Sequence, residues 1–284
     1  MKIPVRQISD TKENPTDGFN IRTIESMLNG HPMIHDLHRH TYFFILAVKK
    51  GHGEHEIDFI NYLVGDYSIF ILRPGQVHKL RLDKESQGFL MEFNSEFYIP
   101  NDSGSKQRLR RVTSKSFCAL TYNSFERLYN TMTTIYTEYA NKEMGYTDLI
   151  RANLEIFFIE FLRQSLSPNQ NSIAELSYEH ERFEEFQEFL EHYITEHKTV
   201  IQYAELLGIS VYQLNRITKE VMGKTVSELI NDQLILESKR LLLATLNQVK
   251  EIAYSLGFED TSYFIRFFKK HTGLSPETFR QNFK

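Results

Sequence analysis

The sequence predicts an α+β chain of more than one domain. A β-barrel or double-sheet jelly roll with a helical hairpin comes first, and an all-helical unit comes last. Three observations carry this. Short apolar runs separated by turn residues recur between His31 and Ile99. Two long amphipathic helical patterns follow, over Ser124–Glu143 and Tyr146–Leu166. A unit of about 50 residues is then repeated, once around VIQYAELLGISVYQLNRITKEVMG (Val200–Gly223) and again around VKEIAYSLGFEDTSYFIRFFKKHTG (Val249–Gly273).

A length of 284 residues suits about two domains, each able to bury a core. With 41% hydrophobic and 25% charged residues, the composition is that of a globular protein. Met1–Gly30 holds no continuous apolar stretch of the kind a secretory signal needs, so none is expected. No run approaches the roughly 20 apolar residues of a membrane span. Cys118 is the single cysteine, which excludes an intrachain disulfide and suits a cytoplasmic location. Net charge is −4. Residues 181–284 hold 13 Lys and Arg against 15 Asp and Glu, and from His197 onward the balance is 12 against 9. Nucleic-acid binding would therefore rest on where cations sit, not on a basic total.

Taken in order, FNIRTIESML (Phe19–Leu28) reads as an edge strand or a short helix. FFILAV (Phe43–Val48) reads as a buried strand, and HEIDFI (His55–Ile60) as an alternating one. YSIFIL (Tyr67–Leu72), HKLRL (His78–Leu82) and GFLMEF (Gly88–Phe93) follow as strands. Turns are expected at Lys49–Gly53, Val64–Asp66 and Pro74–Gly75. Asn101–Lys115 reads as a loop or helix start whose Lys106, Arg108, Arg110 and Arg111 are solvated. The first long helix shows Phe125, Leu128, Met132, Ile135, Tyr136 and Tyr139 on one face. The second shows Leu149, Leu154, Phe157, Phe158, Phe161 and Leu162. Such apolar faces must cover the β unit, a second subunit, or both. The boundaries expected are a sensing and dimerising domain over 1–166 (its helical part 124–166), a linker over 167–180, and the helical domain over 181–284. That last domain opens with a support helix carrying Phe183, Phe186, Phe189, Leu190 and Tyr193.

In each repeat a short amphipathic helix ends at a glycine, and a second helix starts within three or four residues, which is the helix-turn-helix layout. Ala204 and Ala253 match, and a small side chain there lets the second helix cross close by. Gly208 and Gly257 follow four residues later, where a tight turn calls for positive φ. Ser210 and Asp260 are placed to cap the next helix. Val226–Thr245 reads as one long helix joining the units, with Leu229, Ile230, Leu234, Leu241 and Leu242 as core. Ser275-Pro276 starts the last helix. The second helix of such a unit enters the DNA major groove with its N-terminal residues at base edges. The outward sets are Tyr212, Gln213, Asn215 and Arg216 in the first unit, and Thr261, Ser262, Tyr263 and Arg266 in the second. Lys219, Lys269 and Lys270 suit phosphates.

The run EIAYSLGFEDTSYFIRFFKKHTGLSPETFR (Glu251–Arg280) resembles the signature of the AraC/XylS transcriptional regulators, strongly over about the last hundred residues of the chain. The resemblance implies base contacts at Tyr212, Asn215, Arg216, Thr261, Ser262 and Arg266, and double-stranded DNA as a partner. It also implies a small-molecule effector, a homodimer and, for an activator, RNA polymerase. Thr218 departs from it, since family members mostly carry phenylalanine there.

In the N-terminal half, HRH (His38–His40) and GDYSIFILRPGQVH (Gly65–His78) look like the two motifs of a cupin. Metal-dependent cupin enzymes add a glutamate to such histidines, and here Phe44 and Ile45 stand where it is expected. Three neutral ligands are a set zinc accepts, yet regulators of this kind commonly keep the cupin shape without metal. The expectation is therefore an effector pocket walled by His38, His40, Tyr42, Phe44 and His78, with no metal, no cofactor and no catalytic residue. Asp58 and Glu92 read as isolated carboxylates with surface or turn roles. Two rival readings stand beside this one: a metal-dependent cupin enzyme fused to a DNA-binding module, and a regulator controlled by a protein partner.

Overall fold

The computed structural model describes residues 4–8, 18–165 and 178–282. The described residues divide into two compact units, one of residues 4–8 and 18–165 and one of residues 178–282. Most of the expected linker, from 167 to 177, lies outside the described residues; its last three positions, 178–180, are already helical.

The first unit is built of β1 (Val5–Arg6), β2 (Phe19–Thr23), α1 (Ile24–Leu28), β3 (Met33–His40), β4 (Phe43–Lys50), β5 (Gly53–Ile57) and β6 (Ile60–Val64). It continues through β7 (Ser68–Leu72), β8 (Val77–Leu82), β9 (Gln87–Phe93), α2 (Ser103–Thr113), β10 (Phe117–Ala119), α3 (Tyr122–Asn141) and α4 (Tyr146–Ser165). The strands form two five-stranded sheets, in the orders β1-β3-β8-β5-β6 and β10-β7-β4-β9-β2.

Strand β4 shows why the run FFILAV is apolar at every position. Phe44, Leu46 and Val48 join one core, and Ile45 and Ala47 join another. The first core is inter-sheet, with Ile57, Leu80 and Leu82 from β5 and β8 meeting Phe70, Leu72 and Leu90 from β7 and β9. The second lies on the other face of β4, where α3 and α4 bring Phe125, Leu128, Met132, Leu154, Phe157, Phe158 and Phe161. Each such aromatic contributes about 1.5–3 kcal/mol through the apolar area it buries. The sheet containing β8 alternates instead. Leu80 and Leu82 turn inward, Arg81 is exposed, and Lys79 pairs with Glu56 across to β5 at 2.8 Å.

Three expectations need correction, and a fourth, for Asn101–Lys115, is decided in favour of its helical reading. HEIDFI is not one strand: Asp58 and Phe59 turn the chain with φ of 47° and 70°, and β6 follows. Residues 103–113 are a helix, because Asp102 caps Ser105 N while the Ser105 hydroxyl returns to Asp102 N. Arg108 in that helix pairs with Glu155 at 3.0 Å. Leu149 is exposed on α4, and Ile150 is the buried residue. Glu92 is neither isolated nor superficial, as described below.

The second unit opens with α5 (Tyr178–Tyr193), followed by α6 (Val200–Leu206), α7 (Val211–Met222), α8 (Val226–Ala244), α9 (Val249–Ser255), α10 (Thr261–Thr272) and α11 (Pro276–Asn282). The two turns share their geometry, although the second is one residue longer: Ser210 follows Gly208 by two positions and Asp260 follows Gly257 by three. Gly208 and Gly257 have φ of 63° and 72°, and the next amides, of Ile209 and Phe258, donate to Ala204 and Ala253 carbonyls at 3.0 and 2.9 Å. Ser210 and Asp260 cap α7 and α10 by accepting from the amides of Gln213 and Tyr263. Ser275 caps α11, and Pro276 occupies its first position. Arg280 on α11 donates to the carbonyls of Leu242 and Asn247 at 3.0 and 2.7 Å, which ties the last helix to the end of α8.

The two turn glycines differ in their surroundings. A Cβ at Gly208 meets open space, whereas one at Gly257 overlaps the carbonyl oxygen of Thr195. Gly208→Ala should therefore cost about 1–2 kcal/mol, the left-handed penalty alone. Gly257→Ala should cost about 2–5 kcal/mol, because the overlap adds to it. Urea unfolding of the helical unit measures both, and equal losses would contradict the packing difference.

Candidate functional sites: two recognition helices and a histidine cluster

The first site is the outward surface of α7 and α10. Both helices bury one stripe: Leu214, Ile217 and Thr218 in α7, Phe264, Phe267 and Phe268 in α10. Thr218 takes its buried place by donating its hydroxyl to the Asn215 carbonyl at 3.2 Å, so the smaller residue is satisfied there. On the outer face of α10, Ser262, Tyr263, Arg266, Lys269 and Lys270 are exposed and Thr261 is half-buried. On α7, Tyr212 is 79% exposed, and Arg216 and Lys219 are exposed.

The remaining two predicted residues of α7 have internal partners. The Gln213 carboxamide oxygen accepts from the Ser210 amide and hydroxyl, both at 3.0 Å, closing a capping box. Asn215 donates to the Val211 carbonyl at 3.1 Å and accepts from the Val226 amide at 3.2 Å, so it braces α7 against the start of α8. Arg216 also has a partner that sequence reasoning missed: Glu179 on α5, at 3.1 Å. Nothing local in the sequence signals that pair, since the two residues are 37 positions apart.

The second site lies at one end of the β sandwich. Strand β3 carries Met33 and His35, then His38 and His40. A register shift between His35 and His38 changes the parity of the strand. With it, His38 and His40 join the inner face. His38 sits opposite His78 of β8, and β5 brings His55 alongside. His38, His40, His55 and His78 are all buried. His38 Nδ1 donates to the Asp36 carbonyl at 2.7 Å. His78 Nδ1 lies 2.8 Å from His55 Nε2, and His78 Nε2 lies 3.3 Å from His40 Nε2. The Tyr42 ring stacks on His40 at 4.4 Å, and Phe44 packs against His40 and His78. The five residues predicted to wall a pocket are thus one contiguous cluster.

Beside them stands Glu92 of β9, only 3% exposed. It accepts from Tyr42 Oη at 3.0 Å, Asn20 at 3.2 Å and Arg22 at 3.0 Å. These bonds compensate a buried carboxylate. Burial, then the Glu92 charge, pushes the Tyr42 phenol up, so it stays a donor.

Burial also holds the imidazoles neutral. It lowers His35 and His38 to about 4, Arg6 and Arg22 adding to the effect at His35, and lowers His55 to about 3. His40 and His78 are pushed down by burial and by the neighbouring histidines.

The chain resembles known proteins in both of its units. A family profile described as an AraC-like ligand binding domain matches residues 19–131, and one described as a helix-turn-helix domain matches 203–282. Over its whole length the chain is 23% identical to YfiF, an uncharacterized HTH-type transcriptional regulator of Bacillus subtilis, and the match spans 90% of that protein. The chain belongs to the AraC-type transcriptional regulators. It is also 33% identical over 94 residues to the bifunctional transcriptional activator and DNA repair enzyme AdaA of B. subtilis, a match covering 33% of this chain and 44% of AdaA. The chain thus spans less than half the length of that relative. Among solved structures, ToxT of Vibrio cholerae strain SCE256, bound to unsaturated fatty acid, is 18% identical over 94% of this chain and 96% of its own, with a TM-score of 0.43. No described helix is long and apolar enough to cross a membrane. This AraC-type chain therefore joins a helix-turn-helix DNA-binding domain to a two-sheet domain whose interior holds His38, His40, His55 and His78.

Two outcomes are expected. The histidines bind fewer protons folded than unfolded, because their folded values lie below the ordinary 6.5. Stability of the β unit should hold above pH 6.5 and fall as pH drops toward 4. Thermal melting against pH checks this, and a flat profile across that window would contradict the buried neutral cluster. Removing the Glu179 carboxylate should free Arg216. Glu179→Gln is expected to tighten DNA binding by about two- to fivefold, the scale of an exposed ion pair, as read by fluorescence anisotropy.

Proposed function

We propose that this AraC-type chain is a sequence-specific, effector-responsive transcription regulator acting as a cytoplasmic homodimer, without enzymatic activity. The observation that carries the DNA half is one helical unit that holds two recognition helices at either end of α8. That helix has 19 residues. At 1.5 Å per residue it spans roughly 28 Å, near the roughly 34 Å between successive major-groove faces on one side of B-DNA. One chain can then cover two adjacent grooves. Arg216 and Arg266 are the base readers of this scheme, joined by Tyr212, Thr261, Ser262 and Tyr263. Lys219, Lys269 and Lys270 hold phosphates, while Gln213 and Asn215 keep α7 in shape.

In the sensing half, the effector is read at the end of the sandwich where Tyr42 and Phe44 meet the histidines. Ligand state or dimer geometry then changes how the recognition helices are presented, and contact with RNA polymerase follows if the output is activation. Dimerisation is assigned to the α3–α4 pair. Leu149 and Ile156 lie seven residues apart on one face of α4 and are 48% and 49% exposed.

A binding-site selection tests the division of labour. Arg216→Ala and Arg266→Ala should each cost about 1–3 kcal/mol of specific binding and relax preference at positions about one helical turn apart. Lys269→Ala should weaken all sequences alike and lower the salt dependence by about one ion. An unchanged motif and affinity for Arg216→Ala would remove the two-groove scheme. Leu149→Asp with Ile156→Asp should shift the full chain from dimer to monomer in sedimentation, and an unaltered dimer would move the interface elsewhere.

A further inference from the structure

The three histidine rings at the heart of the cluster touch one another. Ring centroids of His38, His40 and His78 are separated by 4.3 to 4.8 Å. That packing gathers ring nitrogens rather than framing a cavity. One ring nitrogen from each of the three lies within 4.8 Å of the other two. We propose that His38, His40 and His78 form a binding site for one divalent transition-metal cation, zinc being the best suited, inside the β sandwich.

The arrangement of protons supports this independently of the distances. Because His38 Nδ1 must donate to the Asp36 carbonyl, its Nε2 carries the lone pair. That Nε2 is buried without a hydrogen-bond partner. A buried unpaired acceptor costs about 1–3 kcal/mol, and a cation between the rings removes that cost. His78 is oriented in the same sense. In the tautomer that donates Nδ1–H to His55 Nε2, His78 turns an Nε2 lone pair toward His40. His55 then fixes the tautomer of a ligand rather than serving as one. Two nitrogens bound tetrahedrally to zinc at about 2.0–2.1 Å lie about 3.3–3.4 Å apart, and His40 Nε2 and His78 Nε2 are 3.3 Å apart. Binding needs a tautomeric shift on His40, with its proton moving to Nδ1 and none leaving the protein, and a closing movement of the rings, since nitrogens up to 4.8 Å apart must come within about 3.4 Å of one another. Imidazole ligands suit zinc, copper, iron and nickel, and three neutral ones leave at least one coordination position for an outside donor.

The sequence alone favours a metal-free pocket, because the acidic cupin ligand is missing. Ring contact, the orphaned lone pair and the His55 relay reverse that expectation. The inference does not depend on an effector, and it is tested without one.

The test uses untagged full-length protein, stripped with a chelator and titrated with Co2+ and then Zn2+. Expected are one ion per chain by elemental analysis, and a tetrahedral or five-coordinate cobalt spectrum that Zn2+ abolishes. His38→Gln and His78→Gln should each reduce occupancy to near zero at equimolar metal. His55→Gln should weaken affinity by about tenfold, the lower end for a residue that orients a ligand. His52→Gln, outside the cluster, should bind as the wild type. If a variant fails to fold, the wild-type titration still decides. Absence of stoichiometric binding overturns the proposal, and so does binding that a folded His38→Gln or His78→Gln variant retains, since that would place the ion at a surface histidine.

Discussion

The β unit depends on one constraint: the apolar run Phe44–Val48 of the central strand β4 must leave water on both faces. A strand alternates strictly, so β4 can satisfy this only if both of its faces are covered. One face is covered by the other sheet and one by the α3–α4 pair. The helical hairpin is therefore an obligate outer layer of the domain, whatever else its far side does. The sheet containing β8 differs: its outer face carries Glu54, Lys79 and Arg81, with Ile34 and Leu63 exposed among them.

Within that frame, a change of parity has a large chemical effect. Strand β3 would show His38 and His40 to solvent if it continued without interruption from His35. The register shift turns them inward, where burial makes them neutral and their ring nitrogens meet those of His78. The network around Glu92 balances the other polar group at this end of the sandwich. Charge is kept where hydrogen bonds satisfy it and avoided where they do not.

Much of the helical unit was legible because its signals are local. Glycines at positive φ, serine, threonine and aspartate caps, and apolar spacing each act within a few residues, and the repeat shows them twice. The cluster around His38, His40 and His78 was legible as a set of residues, but not as a geometry. Its arrangement rests on a bulge and on cross-strand register, which are long-range. The turn at Asp58–Phe59 escaped because two non-glycine residues adopt left-handed φ there. Helix α2 was legible only as one of two readings, because its residues are mostly polar and basic and only the Asp102–Ser105 box marks its start. The Arg216–Glu179 pair and the burial of Glu92 escaped for one reason: each needs a partner tens of residues away.

The clamp made by Arg280 bears on how the protein is made. It reaches back 38 residues to the Leu242 carbonyl. At a synthesis rate of about 5–20 residues per second, that arginine is added roughly two to eight seconds after its acceptor. During that interval the C-terminal end of α8 lacks these bonds, while the first helix-turn-helix already has its caps and turn. A nascent chain thus holds one finished helix-turn-helix beside an unfinished one until Arg280 has been added.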